Sequence, residues 1–253
     1  MKQHVPNIFT CLNLLFGCMA VVMIFRDQSV LNTDRLVTAS YLVLAAVIFD
    51  FLDGFTARIL HVHSPIGKDL DSLADVITFG LVPGAIMFRL FQMSDPSLIY
   101  ADESFLRVFQ FFPFIVTVFS ALRLAKFNVD KRQSESFIGL PTPANTMVII
   151  AFPLILQNDH FHLTGLILNP YFIVITCVVL SYLLIAEIPL FALKFKSFAW
   201  KKNSFQYILL ASSIVLFLIF RYVSIPLIIF LYIFLSIVNN IRISLKKPAG
   251  KLL

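Results

Sequence analysis

Apolar runs follow one another along nearly the whole of this 253-residue chain. A run of about 20 such residues is the length a helix needs to cross the hydrocarbon of a bilayer. Eight runs of this kind are read from the sequence, at residues 7–25, 37–60, 72–92, 105–127, 142–158, 169–193, 204–221 and 225–243. In hydrocarbon a segment must satisfy its own backbone N–H and C=O groups, which successive runs of this length do as helices. The expected fold is therefore all-α, a polytopic transmembrane helix bundle of about eight spans. Composition agrees: 59% of residues are hydrophobic and 13% charged, against about half and a quarter in soluble domains. Residues 1–253 are read as one membrane domain, because no loop is long enough for a soluble one.

The fifth run holds Pro143 and Pro153, so its edges are the hardest to place. Tyr222 to Ser224 separates the last two runs, which predicts a tight helical hairpin. The stretch from Asn7 to Phe25 is read as a first span rather than a cleaved signal, since no small-residue cleavage site follows it. Cys11, Cys18 and Cys177 all sit in apolar runs, in no metal-binding or redox spacing. Buried free thiols are the expectation.

The net charge is +6. Because the basic residues flank apolar runs, an anionic membrane surface, and no nucleic acid, is the expected partner. With the N-terminus inside, Arg26, Arg35, Arg89, Arg107 and Arg221 fall on the outer face, and the other fifteen of the 20 Lys and Arg fall on the inner face. That bias predicts both termini in the cytoplasm.

Five of the chain's eleven Asp lie in one stretch of 26 residues, DFLDGFTARILHVHSPIGKDLDSLAD, from Asp50 to Asp75. Asp50 and Asp53 are three apart near the end of the second span. Asp71 and Asp75 are four apart at the start of the third. Residues at those offsets share a helix face, so two neighbouring helices are expected to bring four carboxylates together. Asp69 falls on the opposite side and reads as a solvated charge.

Carboxylates in a bilayer need compensation, and Arg58 and Lys68 are too few. Hard divalent ions such as Mg²⁺ or Mn²⁺ take carboxylate oxygens and leave positions for phosphate. Four carboxylates suffice for two such ions, an arrangement suited to chemistry at phosphorus. Gly54, Ala57 and Gly67 lie on the same faces. Their lack of bulk either lets helices approach or leaves room for a ligand. Arg58, next on this face, grips phosphate or snorkels to the interface. A cation or proton pathway would also use intramembrane acids, but it gives no reason for Gly, Ala and Arg at these offsets.

The run Asp50-x2-Asp53-Gly54-x2-Ala57-Arg58-x8-Gly67-x3-Asp71-x3-Asp75 resembles the signature of the CDP-alcohol phosphotransferase family without departure. The resemblance implies a six-helix membrane core, about residues 1–200, with a binuclear metal site on its cytoplasmic side. It implies metal ligation by Asp50, Asp53 and Asp71. Asp75 would touch metal and act as general base. Gly54, Ala57, Arg58 and Gly67 would hold the CDP moiety. The segment PNIFT also resembles the family and adds Asn7 and Thr10 to the CDP site, although both residue types also cap helices. A homodimer is implied as well. Residues 204–243 exceed the six-helix core and are read as an added C-terminal hairpin.

Three further segments resemble the bacterial and archaeal branch of that family that uses L-serine as acceptor. They are DSLADVITFGLVPG at 71–84, SALRLAKFNV at 120–129 and FIGLPTPA at 137–144. The branch implies CDP-diacylglycerol and L-serine as substrates, while short loops and no transit segment suit a bacterial inner membrane as the setting. Glycerol 3-phosphate or inositol stands as the alternative acceptor. Arg123, Lys126 and Asn128 are the candidate acceptor or phosphate contacts, and they read equally as positive-inside anchors and a helix stop. The run Gly139 to Pro143 reads as a rigid entry to the fifth span. His61 and His63 read as interfacial, and Glu187 as an acid inside the sixth span with either a basic partner or a polar cavity.

Overall fold

The computed structural model describes residues 4–26, 33–62, 65–95, 98–99, 102–130, 137–191 and 203–246. Within them the chain is a bundle of helical rods. The first two are α1 (His4–Phe25) and α2 (Thr33–Leu60). The third is composite: α3 (Pro65–Asp75), a π-helical segment (Val76–Leu81) and α4 (Val82–Met93) run on without a break. The fourth joins α5 (Glu103–Phe109) through a 3-10 turn (Phe112–Phe114) to α6 (Ile115–Val129). Then come α7 (Thr142–Asn158), the short α8 (Thr164–Ile167) and α9 (Pro170–Ile185). Helices α10 (Ser204–Phe220) and α11 (Ser224–Lys246) fold back on each other at Arg221–Val223, where the tight hairpin is expected. Among the described residues, five stretches are long and apolar enough to span a bilayer: 4–25, 33–60, 66–93, 104–129 and 204–242. This is an integral membrane protein.

The sixth span differs from its expected extent of 169–193. Its helix ends at Ile185. Pro189 disfavours helix at the residue before it, and the chain instead extends as β2 (Pro189–Leu190) to pair antiparallel with β1 (Phe137–Ile138). This small clasp holds the entry to α7. Gly139 there has φ +76°, a conformation that suits glycine, and a Cβ on it would crowd the carbonyls of Leu184 and Ala186. Leu140 N–H donates to Leu183 O at 2.8 Å across the same junction.

Helix α7 occupies the middle of the bundle. Val148, Ile149, Ile150, Ala151 and Leu154 are buried there, against Phe79, Val82, Ile86 and Leu90 of the composite rod. Pro143 opens α7 and Pro153 sits inside it. Leu210, Ile214, Phe217 and Leu218 of α10 face outward with no protein over them, as a lipid-facing helix should. Two of the three cysteines, Cys11 and Cys18, are likewise exposed on α1, and Cys177 is buried. The expectation of three buried thiols thus holds for Cys177 alone.

The π segment has a cause in the sequence. A proline ring inside a helix clashes with the carbonyl four residues back and offers it no N–H. Pro83 stands in that relation to Phe79. The helix widens instead, and Val82 N–H donates to Ile77 O, five residues back. Small residues let the neighbours close in. Gly17 of α1 lies against Thr78 so tightly that any side chain on it would meet the threonine hydroxyl, and Gly84 lies against Thr117 in the same way.

Candidate functional site

Helix α2 delivers Asp50 and Asp53, and α3 delivers Asp71 and Asp75. One carboxylate oxygen from each of Asp50, Asp53 and Asp71 falls within 4.8 Å of the others. Asp75 lies within hydrogen-bonding reach of Asp50, and Asp53 and Asp75 are the two buried members of the four, each 8% exposed. Helix α1 completes the ring. Thr10 Oγ1 donates to Asp53 Oδ2 at 2.7 Å, and Asn13 Nδ2 donates to Asp75 Oδ1 at 3.4 Å. Asp69 is exposed and stands apart.

Among the described residues no Lys or Arg forms an ion pair with any of the four acids. Asp71 Oδ1 is buried with no hydrogen-bond partner. An ionised, buried and unpaired carboxylate is strongly disfavoured, and three within one small volume repel one another. Oxygen donors so grouped, one of them orphaned, fit a hard divalent cation.

Beside the carboxylates opens a cavity of about 260 Å³. Asn7, Thr10, Asp53, Gly54, Ala57, Gly67 and Asp71 line it, together with Pro6, Val62 and Lys68. The two readings of Gly54 can be told apart here. A Cβ on Gly54 would meet nothing within 4 Å, so its missing side chain leaves room rather than admitting a helix. Arg58 is exposed, and its Nε donates to Gly54 O at 2.9 Å. His61 ends α2 with φ 51° and is exposed. His63 lies outside the described residues.

The three candidate acceptor residues part company. Arg123 is buried, 7% exposed, and close enough to interact electrostatically with Asp75. Its Nε donates to Leu140 O at 2.9 Å and its guanidinium lies over the Phe127 ring. Lys126 pairs with Glu187 at 3.4 Å, both of them exposed. Glu187 therefore lies just past the end of α9, with a basic partner, not inside a span. Asn128 Nδ2 donates to Ser72 Oγ at 2.8 Å and ties α6 to α3.

Asn13 and Thr78 are not singled out by the sequence, and Lys68 is read there only as a counter-charge to the acids. Asn13 is three residues after Thr10, and a second amide or hydroxyl on that face of an apolar span was the available signal. Lys68 lines the cavity and reaches Asn128 O at 3.5 Å. Thr78 Oγ1 donates to Asn13 O at 3.2 Å.

Fold and cleft together define a polytopic membrane protein with a carboxylate cluster beside a cavity. Comparison with known families gives the class. The family model described as CDP-alcohol phosphatidyltransferase matches residues 3–192, and the chain belongs to that family. A Helicobacter pylori protein named CDP-diacylglycerol–serine O-phosphatidyltransferase is 34% identical over 158 residues, 62% of this chain and 60% of that protein. A Bacillus subtilis protein of the same name is 26% identical over 186 residues, 74% of this chain and 89% of that protein. An archaetidylserine synthase of Methanothermobacter thermautotrophicus is 30% identical over 150 residues, 58% of this chain and 56% of that protein. The chain matches about 60% of the length of the Helicobacter relative.

Proposed function

We propose that this chain transfers the phosphatidyl group of CDP-diacylglycerol to L-serine, forming phosphatidylserine and releasing CMP. The observation that carries the reading is the convergence of Asp50, Asp53 and Asp71 beside a cavity kept open by Gly54. Serine as acceptor rests on the names of the Helicobacter and Bacillus relatives.

Asp50, Asp53, Asp71 and Asp75 would hold two divalent cations, Mg²⁺ or Mn²⁺. Divalent cations held there supply neutralisation of charge on the diphosphate and on the departing CMP. Asn7, Thr10, Gly54, Ala57 and Gly67 shape the space for the CDP moiety, and Arg58 and Lys68 supply positive charge near it. Arg123 is suited to the serine carboxylate, because its planar fork matches two carboxylate oxygens. Asn128, bonded to Ser72, braces α6 against α3, and Lys126 adds only an exposed positive charge.

The serine hydroxyl attacks the phosphorus that bears the diacylglycerol. A serine O–P bond forms, and the bond from that phosphorus to the oxygen bridging the two phosphates breaks. The electron pair leaves on CMP. Asp75 takes the hydroxyl proton as the attack proceeds. Positioning of the two reactants and charge neutralisation supply much of the acceleration.

Residues 1–200 form the catalytic core in this reading, and the α10–α11 hairpin is an addition to it. The active site and both termini face the cytoplasm, the protein lies in a bacterial inner membrane, and it works as a homodimer. The test uses purified protein in detergent with CDP-diacylglycerol, Mn²⁺ and one acceptor at a time. Serine-dependent CMP release is the expected result. Release with inositol or glycerol 3-phosphate but not serine would replace the acceptor. Cation flux in liposomes without CMP release would replace the reaction class.

A further inference from the structure

We infer that Thr117 and Thr146 are positioning residues that clamp the π segment open and so aim Asp71 and Asp75 at the site; this rests on the reaction proposed above. Asp75 is the last residue of α3, and the widened turn begins directly after it. Two carbonyls of that turn are held from outside by hydroxyls of other helices. Thr146 Oγ1, on α7, reaches Phe79 O at 3.1 Å, and Thr117 Oγ1, on α6, donates to Gly80 O at 2.9 Å. Phe79 is four residues before Pro83, so its carbonyl lacks the N–H that a regular helix would supply. A buried carbonyl deprived of a donor is costly, and Thr146, fully buried, supplies a hydroxyl donor in place of the one Pro83 lacks.

Thr146 Oγ1 also lies 2.9 Å from Thr142 O in its own helix. That bond alone is what a threonine in any apolar helix makes. The reach across to Phe79 is the added feature, and Thr117 makes its bond across helices to Gly80 O.

The geometry makes the clamp matter to the acids. One extra residue in a turn rotates everything before it by about 100° relative to everything after it. Helix α4, after the turn, is anchored in the core by Ala85, Ile86, Met87 and Leu90. Asp71 and Asp75, before the turn, must face Asp50, Asp53 and Asn13. If the turn tightened to α-helical register, the core anchor and the acid face could not both be kept. Thr78 Oγ1 on Asn13 O and Asn13 Nδ2 on Asp75 Oδ1 fix the same register from the α1 side. The π segment is thus the joint between a packed rod and a reactive one, where such bulges are commonly found at functional sites.

The test compares Thr117→Val/Thr146→Val, which keeps shape and removes both hydroxyls, with Thr117→Ser/Thr146→Ser, which keeps the hydroxyls. Two readouts are taken on full-length protein in detergent: Mn²⁺ affinity by equilibrium dialysis without lipid substrate, and kcat and KM for serine. The valine pair is expected to lose about tenfold or more in Mn²⁺ affinity and in kcat, with KM for serine little changed. The serine pair is expected to stay close to wild type in both. A folded valine pair with wild-type Mn²⁺ affinity and kcat would overturn the inference. So would a serine pair that loses Mn²⁺ affinity and kcat, since its hydroxyls remain; that arm holds even where the valine pair does not fold. Should wild-type protein release no CMP with serine, the reaction fails, and the Mn²⁺ readout still judges the clamp.

Discussion

Thr10 and Asp53 are separated by 43 residues of sequence and joined by a 2.7 Å hydrogen bond from hydroxyl to carboxylate. The bond pins α1 to the acid face of α2 at the mouth of the cavity that both residues line. It fixes the orientation of one carboxylate in a cluster with which no Lys or Arg forms an ion pair among the described residues.

Thr10→Val should therefore leave Asp53 without its donor. Loss of an outer partner of this kind costs about 10–100-fold in metal affinity or activity. Thr10→Ser should keep most of both. Mn²⁺ binding and CMP release measured side by side on the two variants check this.

Gly54 should show opposite effects on stability and on binding. Gly54→Ala puts its Cβ into open space and removes a helix-interior glycine, which favours folding by up to about 1 kcal/mol. The same methyl intrudes on the cavity, so KM for CDP-diacylglycerol should rise. Thermal unfolding and steady-state kinetics on one preparation read both signs.

Arg123 and Lys126 should separate sharply. Lys126 and Glu187 form an exposed pair, with side chains 42% and 66% exposed. Such pairs contribute about 0–1 kcal/mol, so Lys126→Ala should change little. Arg123→Ala removes a buried charge within electrostatic range of Asp75 and strips Leu140 O of its donor. KM for serine should rise by more than tenfold, about 1.4 kcal/mol or more, with KM for CDP-diacylglycerol much less affected.

Gly17→Val should disrupt the bundle itself. The new side chain would drive into Thr78 at the closest approach of α1 to the π segment. Overpacking of this kind costs about 1–3 kcal/mol, and Asn13, whose carbonyl Thr78 holds, would shift with it. A fall in melting temperature together with weaker Mn²⁺ binding is expected.

The acid cluster was legible in the sequence because helical spacing is a local property. Asp50 with Asp53, and Asp71 with Asp75, declare a shared face without knowledge of the partner helix. The register between the two helices was not local. It depends on the π segment, whose cause, Pro83, is visible in the sequence but whose outcome rests on hydroxyls from α6 and α7 more than 30 residues away. The Lys126–Glu187 pair was hidden for the same reason, since its members lie 61 residues apart. The end of α9 was misjudged because apolar residues continue past Ile185 while the chain leaves the helix to pair with β1. Hydropathy measures burial in apolar surroundings and does not distinguish a helix turn from an extended clasp.

Metal dependence of CMP release is the central property of this enzyme that a single measurement reads. Protein stripped with EDTA should release no CMP from CDP-diacylglycerol and serine, and added Mn²⁺ should restore release in wild type but not in Asp71→Asn. Undiminished release after stripping, or an Asp71→Asn variant that turns over like wild type, would contradict it.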